Sequence, residues 1–220
     1  VGVSLWLIAL LGGWAFGQYR IAQHSEVTRP GPAIGLVQTN VPQSNKNTAS
    51  AQQRLEDFQH MLELTGRLEN AQPAPDVIVW PETMVPAGLN REALVFYDSQ
   101  PLNAANGRLY DRTISRLARA MQTPLVVGGV AYKAWQRVSG PGGGKRMVPA
   151  DRYNSVYLYR PDGTQAPERY DKMHLVPFGE YLPLIDAVPW LKSLFLRYIS
   201  PYPFDYSLEP GEAPVRFRLP

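Results

Sequence analysis

Three short apolar runs, Ala33–Gln38, Val77–Trp80 and Pro124–Val130, alternate with two stretches whose apolar residues recur at helical spacing. This alternation constrains the fold more than any other feature, because runs of four to seven apolar residues suit buried strands and the longer periodic stretches suit amphipathic helices. Ser50, followed by Gln53, fits a capping box at the start of the first helix. Leu55, Phe58, Leu62 and Thr65 share one of its faces, widened by Met61 and Leu68, and Pro73 and Pro75 end it. Tyr110, Ile114, Leu117 and Met121 repeat at the same spacing in the second helix. Beyond the third run, Tyr153–Tyr159 alternates as a sheet strand, Pro161-Asp162-Gly163 reads as a turn, and Glu168–Tyr170 is a further short strand. Val215–Leu219 alternates as well. The order predicts an α/β fold with Ala33–Gln38 as a central strand. Reactive groups are then expected beyond the carboxyl ends of the strands.

The 220 residues suffice for one such domain, and 45% hydrophobic content is ordinary for a folded chain. A net charge of +3 with scattered lysines and arginines gives no basic stripe, so no nucleic-acid partner is expected. The chain has no cysteine, which excludes disulfides and cysteine metal sites within it. Isolated His24 and His60 lack metal-ligand spacing, and no cofactor is expected. Gly142–Gly144 precede Lys145 without P-loop spacing and read as a surface loop.

Val1–Phe16 is almost wholly apolar but short of the roughly 20 residues that span a bilayer. With Trp14, Phe16 and Tyr19 followed by Arg20, residues 1–20 read as the end of a transmembrane helix leaving lipid. A buried core helix is the alternative. Residues 21–32 read as a linker, and residues 33–220 as the folded domain. Val1 is not a start methionine, so the chain is expected to be part of a longer protein.

Two segments carry candidate chemistry. Glu82 follows the Val77–Trp80 run by two residues, across Pro81. A carboxylate at the rim of a core is partly desolvated, which makes it a usable base near neutrality; an exposed loop glutamate is the competing reading. Lys172 follows Glu168–Tyr170 and is placed to stabilise an oxyanion, with a surface lysine as the alternative. Glu180, in the PFGEY turn, is placed to hold Lys172 or support the base. His174 has no serine or cysteine partner in a nucleophile-elbow pattern and reads as structural. Two apolar stretches compete between core packing and an arm dipping into lipid headgroups. They are Trp190–Ile199, followed by Tyr202 and Phe204, and Thr83–Phe96, which begins directly after Glu82.

Four segments together resemble the nitrilase (carbon–nitrogen hydrolase) superfamily, and within it the membrane branch of apolipoprotein N-acyltransferases. They are IGLVQTNVPQS at Ile34–Ser44, VWPET at Val79–Thr83, YNSVYLYRPDG at Tyr153–Gly163 and KMHLVPFGEYLPL at Lys172–Leu184. The resemblance implies an αββα sandwich and a Glu-Lys-Cys triad. Glu82 then matches the general base, Lys172 the oxyanion-stabilising lysine, and Glu180 the additional glutamate of the acyltransferase branch. It further implies a phospholipid acyl donor, a diacylglyceryl apolipoprotein acceptor, and a monomer in the bacterial inner membrane with this domain on the periplasmic side. Two departures stand out. The family's cysteine is absent, which reads as truncation of the domain before the nucleophile. Ser44–Ser50 also lacks the aromatic residue that often follows Pro-Gln-Ser in that branch. The alternatives are a hydrolase acting on a small amide or nitrile and a non-catalytic membrane-anchored binding module.

Overall fold

A computed structural model describes residues 2–41, 50–99, 106–139, 145–185, 188–198 and 207–219. The chain divides into two units, Val1–Pro32 and Ala33–Pro220. Tyr202, Phe204 and the Gly142–Gly144 loop lie outside the described residues.

The first unit holds helix α1 (Gly2–Ala22) and the single turn α2 (His24–Val27), which falls inside the stretch read as a linker. None of the α1 residues is buried. Among the described residues no helix is long and apolar enough to cross a membrane.

The second unit is built on one five-stranded sheet in the order β1-β2-β3-β4-β5. Strands β1 (Ile34–Leu36), β2 (Val77–Val79) and the start of β3 (Leu125–Ser139) run parallel. Strands β4 (Lys145–Tyr159) and β5 (Gln165–Asp171) add antiparallel hairpins. This mixed α/β arrangement agrees with the predicted class and corrects two details. Ala33–Gln38 does not lie at the centre: β1 pairs only with β2 and forms an edge among the described strands. Val215–Leu219 pairs with no strand there, since alternation makes a strand only where a neighbour supplies hydrogen bonds.

One face of the sheet is closed by helices α3 (Ala51–Gly66) and α5 (Asn106–Met121). The Ser50 hydroxyl accepts from the Gln53 amide at 3.1 Å and caps α3 as expected. The Gln53 side chain donates to Asp57 at 3.2 Å. Phe58, Met61 and Thr65 of α3 and Tyr110, Ile114 and Ala118 of α5 pack on Ile78, Leu125, Val127, Tyr157 and Tyr159. Phe58 meets the Tyr110 ring edge-on at 4.7 Å. The turn at Pro161–Gly163 forms as read: Gly163 takes φ +81°, which its missing Cβ permits, and Asp162 Oδ1 accepts from the Thr164 amide.

Thr83–Phe96 is not a free arm. Val85 and Leu89 are fully buried, Gly88 bridges to Val130 of β3, and helix α4 (Arg91–Ser99) stacks Phe96 on Trp135 at 3.7 Å. Helix α6 (Pro189–Tyr198) behaves oppositely: Trp190, Leu194 and Tyr198 remain exposed.

Candidate active site

Strand β2 ends at Val79, and Trp80 anchors the turn that carries Glu82. Trp80 is buried and donates its indole N–H to Thr65 Oγ1 at 3.0 Å, while Thr65 in turn donates to the Met61 carbonyl. The Trp80 amide also bonds the Val126 carbonyl of β3. With Trp80 held on both sides, Pro81 and Glu82 leave the sheet along a fixed course that passes directly over Gly128. A Cβ on Gly128 would stand 2.2 Å from the Pro81 carbonyl oxygen and 2.9 Å from Glu82 Cα. Only glycine allows that approach. Thr83 then adopts φ 57°, a left-handed conformation that a β-branched residue avoids unless its surroundings enforce it.

Lys172 is placed by β5. Its amide donates to the Asn154 carbonyl of β4 at 2.8 Å, and its carbonyl accepts from the Gly211 amide at 2.9 Å. The neighbouring Asp171 is committed elsewhere, to Ser155 and in a two-pronged pair with Arg169. Glu180 is placed by the turn that the PFGEY sequence forms. The Gly179 and Glu180 amides both donate to the Val176 carbonyl, and Glu180 Oε2 accepts back from the Val176 amide at 2.8 Å. Phe178 takes φ 62° within that turn.

These three elements bring the predicted residues together. Lys172 Nζ lies 3.1 Å from Glu82 Oε1 and 2.9 Å from Glu180 Oε1. Asn154, from the middle of β4, donates its side-chain amide to both carboxylates: to Glu82 in a short contact and to Glu180 at 3.3 Å. The Thr83 hydroxyl donates to Asn154 Oδ1 at 3.3 Å. Asn154 and Thr83 carry no role in the sequence analysis. Asn154 had one legible signal, since alternation along β4 puts it on the face of Val156 and Leu158, where a polar residue is out of pattern.

Solvation departs from expectation at one residue. Glu82 occupies the predicted position at the rim, but its side chain is 56% exposed. The turn over Gly128 lifts it clear of the core, so in these surroundings it is not the desolvated carboxylate expected from its place after the strand. Lys172 and Glu180 are covered better, at 27% and 15% exposed. Burial is the largest single influence on Lys172 and lowers its pKa. The hydrogen bonds and charges of Glu180 and Glu82 together outweigh it, and the ammonium titrates above the usual lysine range. For Glu180, burial again acts first and raises the carboxyl. Hydrogen bonds from Val176, Lys172 and Asn154 overcome it and hold the group below the usual glutamate range. The site therefore presents a fixed ammonium between two carboxylates. Such a set can take a proton on one side and meet a developing oxyanion on the other.

His174 is not part of this cluster. It is exposed and lines a separate cavity of about 560 Å³ with Met173, Leu175 and Leu208. Among the described residues no three His, Cys, Asp or Glu side chains gather as metal ligands.

The family profile described as carbon-nitrogen hydrolase matches residues 34–193. An apolipoprotein N-acyltransferase of Rhizobium meliloti (strain 1021) is 34% identical over 180 residues, covering 79% of this chain and 28% of the relative. One of Geobacter metallireducens is 31% identical over 193 residues, covering 87% and 31%. The chain thus spans less than a third of the length of these curated relatives. An amidase from Nesterenkonia sp. of known structure shows 16% identity over 86% of this chain and 52% of its own, with a TM-score of 0.42, a level that does not by itself establish a common fold. The profile covers most of the second unit and includes all three candidate residues, and the chain belongs to the carbon–nitrogen hydrolase family.

Proposed function

We propose that this chain is the periplasmic nitrilase-like domain of an apolipoprotein N-acyltransferase of a bacterial inner membrane. The observation that carries this reading is the meeting of Glu82, Lys172 and Glu180 within 3.1 Å contacts, from segments 90 residues apart in sequence. The names of the relatives supply the substrate class.

In this reading Glu82 takes the proton of a cysteine thiol, and the thiolate attacks the acyl ester carbonyl of a phospholipid. Lys172 faces the resulting oxyanion and Glu180 fixes the ammonium. The ester C–O bond breaks, the lysophospholipid alkoxide leaves with the proton held by Glu82, and a thioester remains. The amino group of an S-diacylglyceryl cysteine then attacks the thioester. Glu82 takes its proton, an amide forms, and the thiol is restored as that proton returns to sulfur.

The thiol must come from a cysteine that these 220 residues do not contain. The sheet face opposite the helices favours a second layer: Ile34 and Leu36 of β1 point to that side and are 54% and 74% exposed. A second sheet there would complete an αββα sandwich. The exposed apolar residues of α1 and α6 suit a protein that works against a bilayer, with residues 1–20 the end of a membrane helix.

The test is acyl transfer in vesicles by a longer protein carrying this chain and a cysteine opposite Lys172. N-acylation of a diacylated lipopeptide is read by its mass. Glu82→Gln and Lys172→Ala should each lower the rate by at least about a thousandfold. The 220-residue chain alone should transfer nothing; transfer by it, or full activity of Glu82→Gln, overturns the proposal. The absence of cysteine also favours a second reading, a membrane-anchored binding module. Acceptor binding without turnover by the longer protein would select it.

A further inference from the structure

Beside the Glu82 turn lies a cavity of about 410 Å³ walled by several parts of the second unit, Val41 after β1 among them. Thr83 and Met84 continue the chain directly from Glu82 and form one wall. Arg54 and Asp57 reach it from the first turns of α3, and Tyr132 and Arg152 from β3 and β4. Tyr132 and Arg152 are direct partners in the antiparallel register, so their side chains stand next to each other on one face. Both guanidiniums act on the same phenol. Burial is the main influence on the Tyr132 hydroxyl and raises its pKa, while Arg152 and Arg54 each pull it back. Two arginines from distant segments therefore line one polar cavity, with Asp57 beside them.

We propose that this cavity binds the phosphate diester of the acyl donor's headgroup, with Arg152 and Arg54 as its cationic contacts and Tyr132 as a neutral hydrogen-bond donor. Arginine presents a planar set of N–H donors that matches phosphate oxygens, and two of them on one anion give charge-assisted bonds from both sides. The location selects the ligand. In a glycerophospholipid the phosphate and the acyl ester are joined by one three-carbon glycerol unit. A molecule whose ester carbonyl rests against Lys172 and Glu82 must place its phosphate within that reach. The cavity begins at the residue next to Glu82 and has room for more than a bare anion. Asp57 on the same wall disfavours ligands of higher negative charge, such as a phosphate monoester, over a singly charged diester. The inference rests on the proposed use of a phospholipid donor, but it concerns binding and is tested without acyl transfer.

The experiment titrates the 220-residue chain by calorimetry with three probes: dihexanoylphosphatidylcholine below its micelle concentration, inorganic phosphate, and dihexanoylglycerol, which lacks the phosphate. The phospholipid should bind most tightly, and Arg54→Gln and Arg152→Gln should each weaken it roughly tenfold or more. Arg137→Gln, outside the cavity, should leave it unchanged. Circular dichroism confirms that each variant is folded; if Arg152→Gln is not, Arg152→Lys keeps the charge, loses the paired geometry and should show a smaller loss. Equal binding of dihexanoylglycerol, or phospholipid affinity unchanged in both arginine variants, overturns the proposal. Phosphate binding without phospholipid binding assigns a free-anion site and overturns it too. Arginine-dependent phospholipid binding by the chain, with no acyl transfer by the cysteine-bearing protein, leaves this site standing and removes only the enzymatic reading.

Discussion

Thr83–Phe96 and Trp190–Ile199 are alike on paper: each is an apolar stretch with a few charges, set close to a proposed catalytic residue. The structure treats them in opposite ways. In the first, Val85 and Leu89 are fully buried, and the Leu89 amide donates to the Val130 carbonyl of β3. In the second, Trp190 is 70% and Tyr198 68% exposed. The difference teaches that apolar content reports what a segment can cover, while the partner decides whether it does. The first stretch is tied at its start to Trp80 and Gly128, so it has no choice but to fold back along the sheet. The burial of that stretch also restrains the Glu82 turn on its downstream side.

The comparison breaks most directly on stability. Leu89→Ala should cost about 2–5 kcal/mol in urea unfolding, through lost burial and the cavity left behind. Leu194→Ala, at a half-exposed site on α6, should stay within about 0.5 kcal/mol. Equal losses would show that α6 is as much a part of the core as the first stretch. A membrane measurement sharpens the same contrast. Trp190→Ala should weaken co-sedimentation of the chain with phospholipid vesicles by roughly tenfold, the worth of about one large apolar side chain. Unchanged binding would remove α6 from any lipid-facing role.

The smallest effect concerns the site that the first stretch supports. Glu180 titrates below its ordinary value in the fold, so its stabilising contribution is complete above the unfolded glutamate pKa and is lost as pH falls through the lower folded one. Lys172 titrates above its ordinary value, so its contribution is complete below the unfolded lysine pKa and is lost as pH rises through the higher folded one. Unfolding free energy measured against pH should therefore fall off on the acid side, and less steeply in Glu180→Gln. An identical acid slope in that variant would mean that the carboxylate contributes nothing through its contacts with Lys172, Asn154 and Val176.

Much of this site was legible because its residues announce themselves locally. A glutamate after a strand and a proline, and a lysine and glutamate around a proline-glycine turn, are short-range patterns, and the resemblance joined them. Asn154 escaped because its importance lies in register: only the pairing of β4 with β3 and β5 sets it between Glu82 and Glu180. The solvation of Glu82 escaped for a similar reason. Two residues beyond a buried strand fits a rim position equally well whether the turn dips inward or lifts outward, and the contact with Gly128 decides. The edge position of β1 depended on pairing alone, since a short apolar run reads the same at the centre or the edge of a sheet.

Residue order alone determined the alternation of strands and helices, the capped start of α3, the Pro-Asp-Gly turn and which acid and amine groups were candidates, because each depends on neighbours a few positions away. Tertiary structure alone decided that Glu82, Lys172, Glu180 and Asn154 share one cluster, that one apolar stretch is core and the other surface, and that two arginines face one cavity. Those outcomes depend on distances between segments far apart in the chain, which strand pairing and close packing set and local sequence does not encode.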